Sequence, residues 1–79
     1  MELNFAWKQG VGTLDLTSND IPLGCCYRSY HLSNGNKWIS ERVLKYGDEV
    51  SQEVHKTKQE AMKFLEASVK AWFTKVLGE

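Results

Sequence analysis

Leu3, Phe5 and Trp7 alternate with Asn4, Ala6 and Lys8, a period of two that predicts a half-buried strand. Gln9-Gly10-Val11-Gly12 supplies turn chemistry. Leu14 and Leu16 then alternate with Thr13, Asp15 and Thr17, which predicts a second short strand before the polar loop Thr17-Ser18-Asn19-Asp20. Pro22 has no amide to give a central ladder, so the next strand is expected to begin near Leu23. Later, Val50, Gln52 and Val54 alternate with Ser51, Glu53 and His55 after a turn at Tyr46-Gly47-Asp48-Glu49, giving a last, edge-like strand. Short connections throughout favour an antiparallel meander.

Between these runs lies Ser33-Asn34-Gly35-Asn36. Asn-Gly flanked by β-rich sequence favours a type I′ hairpin, because both central residues need positive φ. With Asn34-Gly35 as the two loop residues, Arg28 faces Glu41, Tyr27 faces Arg42 and Cys26 faces Val43. That register pairs opposite charges and opposes no like ones. One hairpin face then carries Cys26, Arg28, Tyr30, Leu32, Ile39, Glu41 and Val43. The other carries Cys25, Tyr27, Ser29, His31, Trp38, Ser40, Arg42 and Leu44. Neither face is cleanly polar, so the pattern leaves open which one meets the rest of the domain.

A helix is expected at the end of the chain. Thr57 and Glu60 form a capping box, and nothing breaks the pattern until Gly78. At the helical period, Ala61, Phe64, Leu65, Ser68, Val69, Ala71, Trp72, Phe73 and Val76 share one side, and Lys63, Glu66, Ala67, Lys70 and Thr74 the other. This apolar arc is roughly 200° wide, where about 100° suffices for a surface helix, so more than one sheet face should cover it. The predicted fold class is α+β: an antiparallel β-meander of four to five strands packed against one long C-terminal helix, in a single domain, 1–79.

Composition narrows the functional classes. In 79 residues there are three tryptophans, three tyrosines and three phenylalanines, enough large rings to stabilise so short a domain without staples. Ten basic residues balance ten acidic ones, so no long-range attraction to nucleic acid or membrane is expected, and a low net charge favours self-association. Cys25 and Cys26 are adjacent, which is not a disulfide framework, and they read as small apolar residues. Met1 leads straight into strand pattern, and no apolar run approaches the roughly 20 residues that cross a bilayer. A cytoplasmic setting without membrane association is the expectation.

Enzyme motifs are missing. Gly10 and Gly12 precede a strand rather than a helix, so they are no phosphate loop, and no serine sits in an elbow motif. Cys25 and His31 share a strand face, but six residues of strand span about 20 Å, too far to share one zinc. No metal, no cofactor and no catalytic residue is therefore expected. The constellation that stands out is Tyr27, His31, Trp38 and Arg42, an aromatic patch with a guanidinium suited to stacking or carboxylate recognition. The competing expectation puts Trp38 under the helix, with Tyr27 and His31 at the core's rim and Arg42 reaching out. Lys56, Lys63 and Lys70 recur every seven residues and could touch phosphates, although Glu60 and Glu66 dilute them.

Trp7, Leu14, Leu16, Gly24 and Trp38, with the helix running from Thr57-Lys58-Gln59-Glu60-Ala61 to Val69-Lys70-Ala71-Trp72, resemble small uncharacterised proteins encoded by phages and prophages. That resemblance implies a phage origin more than a function. The final strand and helix are similar to the end of a double-stranded-RNA-binding domain, without its N-terminal helix. Ile21-Pro22-Leu23-Gly24-Cys25 with a later helix resembles HicB-type antitoxins, although here a whole hairpin intervenes. The leading expectation is a non-enzymatic binding module acting through protein–protein contacts or self-association as a homodimer. The alternative is a nucleic-acid-binding accessory protein using Lys56, Lys63 and Lys70. An antitoxin-like or enzymatic role comes third.

Overall fold

Five strands, β1 (Phe5–Gln9), β2 (Thr13–Ser18), β3 (Ile21–Arg28), β4 (Trp38–Arg42) and β5 (Gln52–His55), form one antiparallel sheet in chain order. The helix α1 (Lys58–Leu77) follows, packed on one face against β3, β4 and β5. This computed structural model describes residues 3–30, 35–44 and 52–77. The fold is α+β, as the alternating runs and the capped helix predict. The turn expected at Tyr46-Gly47-Asp48-Glu49, and the start of the last strand at Val50 and Ser51, lie outside the described residues.

The helix starts where its capping box predicts. Thr57 Oγ1 accepts from the Glu60 amide at 3.1 Å, and Glu60 Oε2 accepts from the Lys56 amide at 3.3 Å. Each side chain thus satisfies an amide that the first turn leaves without a partner. Ala61, Leu65 and Val69 form its buried stripe and meet Leu16, Leu23 and Cys26 from the sheet. The wider apolar arc is not fully covered. Phe64 is 41% exposed and lies against His55 at a ring separation of 5.0 Å, and Val76 is equally exposed.

Two turns differ from their expectations. A two-residue hairpin closes at Asn19-Asp20, as another does at Val11-Gly12, and Asn34 of the expected Asn34-Gly35 turn lies outside the described residues. Ser18 pairs with Ile21, and the two residues between them adopt φ of 52° and 66°. Both loop residues therefore sit in the left-handed region that a primed two-residue hairpin requires, which Asn and Asp tolerate better than most. Between β3 and β4 the Ser29 amide bonds the Lys37 carbonyl at 2.8 Å. Cys26 consequently pairs with Ser40, and Arg28 with Trp38 rather than Glu41. Against the expected pairing of Cys26 with Val43 this is an odd slip, so it turns one strand over relative to the other.

The slip decides the two faces. Rows Trp7–Leu16–Gly24–Arg42, Leu14–Cys26–Ser40 and Arg28–Trp38–His55 lie on the helix side. Rows Asp15–Cys25–Glu41–Gln52 and Thr13–Tyr27–Ile39–Val54 lie on the other. Gly24 is needed on the helix side, because a Cβ there would stand 2.9 Å from Leu65 Cδ1 and 2.6 Å from the Glu41 carbonyl. β3 also begins earlier than Pro22 suggests. The β2–β3 register shifts between Leu16 and Thr17, so Pro22, paired with Thr17, lies beside an irregularity of the ladder, where proline is tolerated.

Candidate binding cleft

Of the residues expected to form one aromatic patch, Tyr27 stands on the opposite face of the sheet from Trp38 and Arg42. Tyr27 is on the outer face, its hydroxyl 3.4 Å from Glu41 Oε2, and Gln52 Nε2 donates to the same carboxylate at 2.9 Å. Trp38 and Arg42 are on the helix face. His31 lies outside the described residues. The register slip is the cause, since the expected pairing put Tyr27 and Arg42 opposite each other on a shared face.

Arg42 neither reaches out to solvent nor offers a guanidinium to a ligand. It is 8% exposed, its Nε donates to the Leu44 carbonyl, and its Nη1 donates to Ser68 Oγ at 2.6 Å. It fastens β4 to the middle of α1. Lys56, Lys63 and Lys70 are exposed, as a phosphate-contacting row would need, but Lys70 Nζ stands 5.6 Å from the centre of the Phe5 ring.

A concave site is present elsewhere, at the end of the sheet that projects past the start of α1. It has a volume of about 380 Å³. Leu14 and Trp38, half-buried, line its floor together with the fully buried Cys26, and Gln9, Gly12 and Thr13 bound it from the β1–β2 end. Arg28, Tyr30 and Lys58 form its exposed rim. The Arg28 guanidinium sits 5.1 Å above the Tyr30 ring, within range of a cation–π contact. Among the described residues, two cations and no carboxylate line the cleft.

Both cations stand at positions the fold would otherwise give to core residues. Lys58 is three residues before Ala61 and seven before Leu65, so it continues the buried stripe of the helix outward. Arg28 follows Gly24 and Cys26 on the helix side of β3. These two, with Tyr30 and Leu14, are among the cleft residues the expected patch omitted. The signal for them was a lysine on the apolar stripe of α1 and an arginine in the inward phase of β3.

The nucleophiles nearby are quiet. Burial pushes the Cys26 thiol up to about 12, with the neighbouring Cys25 adding to it. Cys25 on the outer face is also raised, by burial first and then by Glu41 and Asp15. Both cysteines are free thiols. Ser40 Oγ and His55 Nε2 are 2.9 Å apart, the spacing of a serine and its base, but Ser40 is 1% exposed beneath α1. Among the described residues no group of three or more His, Cys, Asp or Glu side chains could hold a metal ion. No described helix is long and apolar enough to cross a membrane.

No family model matches this chain, and no curated protein and no solved structure matches it either.

Proposed function

We propose that this chain is a small non-enzymatic binding module acting through protein contacts, and that its partner docks in the cleft between Arg28, Trp38 and Lys58. One observation supports this above the others. A concavity with an apolar floor is left open at the end of the core, and among the described residues neither rim cation pairs with a carboxylate. Concave, largely apolar sites with a few placed polar groups are where ligands and peptide segments bind. The buried state of Ser40 and the raised thiols favour binding over nucleophilic chemistry.

A selection from a displayed library of random peptides tests it. Selected peptides should perturb the amide resonances of Leu14, Arg28 and Trp38, and Leu14→Lys should abolish their binding while the fold persists by circular dichroism. A selection that yields no binder, or binders that perturb Tyr27 and Ile39 on the outer face instead, rejects the cleft as the docking site.

A second reading, nucleic-acid binding, is favoured by the exposure of Lys56, Lys63 and Lys70. It requires retention on DNA or RNA that falls steeply with salt. Absence of retention at about 50 mM salt removes it, since screening is weak there.

A further inference from the structure

We infer that the cleft takes a peptide segment presenting one large apolar side chain beside a carboxylate, an inference that rests on the protein-contact role proposed above. The first half follows from size and lining. A volume of about 380 Å³ is near the lower end for a small-ligand site, enough for one large side chain and its adjoining backbone rather than a docked helix. Leu14 and Trp38 offer that side chain an apolar and aromatic surface. The second half follows from charge. An apolar group seated on that floor strips water from Arg28 and Lys58, and a cation losing water without a counter-charge opposes binding. The chain as a whole carries as many acidic as basic residues, so the cation excess among the described lining residues is local to the cleft. An occupant that brings its own carboxylate restores the balance, and the planar guanidinium of Arg28 can donate two parallel N–H bonds to it. A polyphosphate backbone fits less well. It needs a cationic track several residues long, whereas Glu60 and Glu66 break the run of cations along α1.

Three capped pentapeptides test this on the full chain by isothermal titration and amide chemical shifts. One has phenylalanine between two glutamates, one has glutamines in place of the glutamates, and one has alanine in place of phenylalanine. The first should bind in the cleft, with the other two at least about fivefold weaker, the scale of one partly exposed ion pair or one lost ring contact. Arg28→Gln and Lys58→Gln should each remove most of the glutamate preference while leaving the weak glutamine peptide unchanged. Equal binding of the glutamate and glutamine peptides at the cleft overturns the carboxylate inference and leaves the protein-contact role standing. Binding of none of them at millimolar concentration overturns the inference, while the library selection decides separately on that role. A salt-dependent shift of the cleft resonances by a short oligothymidylate, with no response to the peptides, overturns the choice of a protein segment.

Discussion

Trp7 Nε1 donates a 2.7 Å hydrogen bond to Glu66 Oε2, joining the first strand to the middle of the helix across a sequence separation of 59 residues. The sequence pattern assigns Glu66 to the polar side of α1 and Trp7 to a half-buried strand face, and the bond sits where those two boundaries meet. β1 is an edge strand paired only with β2, and this contact adds to the packing of Trp7 against the core. Glu66→Gln keeps an acceptor and should cost little, whereas Glu66→Leu leaves the indole N–H without a partner and should cost about 1–2 kcal/mol. Urea denaturation of the two variants separates these outcomes.

Gly24 admits no side chain without displacement of Leu65 or the β4 backbone. Gly24→Ala should destabilise the protein by about 1–3 kcal/mol, the range for overpacking a filled core. Shortening the opposing side chain in Gly24→Ala/Leu65→Val should recover part of that loss, which a double-mutant cycle would measure as coupling. Strict additivity would place the strain in the β4 backbone instead.

The Asn19-Asp20 hairpin holds two non-glycine residues at positive φ. Asp20 also pairs with Lys8 through a 2.7 Å contact in full solvent, where such pairs add little. Asp20→Gly should therefore raise Tm by about 2–5 °C, and Asp20→Val should lower it, because a β-branched residue resists the left-handed region most. Thermal melts at matched concentration settle the order.

Stability should fall at alkaline pH. The Cys26 thiol has a folded pKa near 12 against an ordinary value of 9.0. Its contribution is complete below pH 9 and disappears as pH climbs through the folded value, because the unfolded chain ionises first. The loss is at most about 1.4 kcal/mol per pH unit. Cys25 and Tyr27 are raised as well, by burial foremost, and act in the same direction. Unfolding free energies at pH 7, 9 and 10.5 should decline, and Cys26→Ala, though less stable at pH 7, should show the shallower decline.

The alternation at Phe5–Trp7 and Leu14–Leu16, and the capping box before α1, were legible because each is a local signal that tertiary structure reinforces. The β3–β4 register was not. Asn34-Gly35 has the composition of a tight hairpin, but the pairing is set at a distance, by Gly24 admitting Leu65 and by Cys26 and Ser40 lying together beneath α1. Local turn preference yields to packing of that kind. At Asn19-Asp20, where the composition alone marked only a polar loop, the chain closes β2 onto β3 with two residues. The expected patch of Tyr27, Trp38 and Arg42 depended on the register and came apart with it. The cleft was faintly visible in Lys58 and Arg28, each a charge in an inward phase, but a cavity arises from where an element stops, and no residue pattern encodes the space beyond the end of a helix.

Because every strand pairs only with its neighbours in sequence, the sheet can assemble in the order the ribosome delivers it, one hairpin at a time. Its cover is delivered last. Until Lys58–Leu77 clears the exit tunnel, Leu16, Leu23 and Cys26 face water on a sheet with two open edges, the condition under which nascent chains adhere to one another. A ribosome-tethered chain whose residues up to 56 have cleared the tunnel should therefore recruit chaperones, and one with residue 77 also clear should not. The helix serves as the seal of translation as much as a layer of the fold.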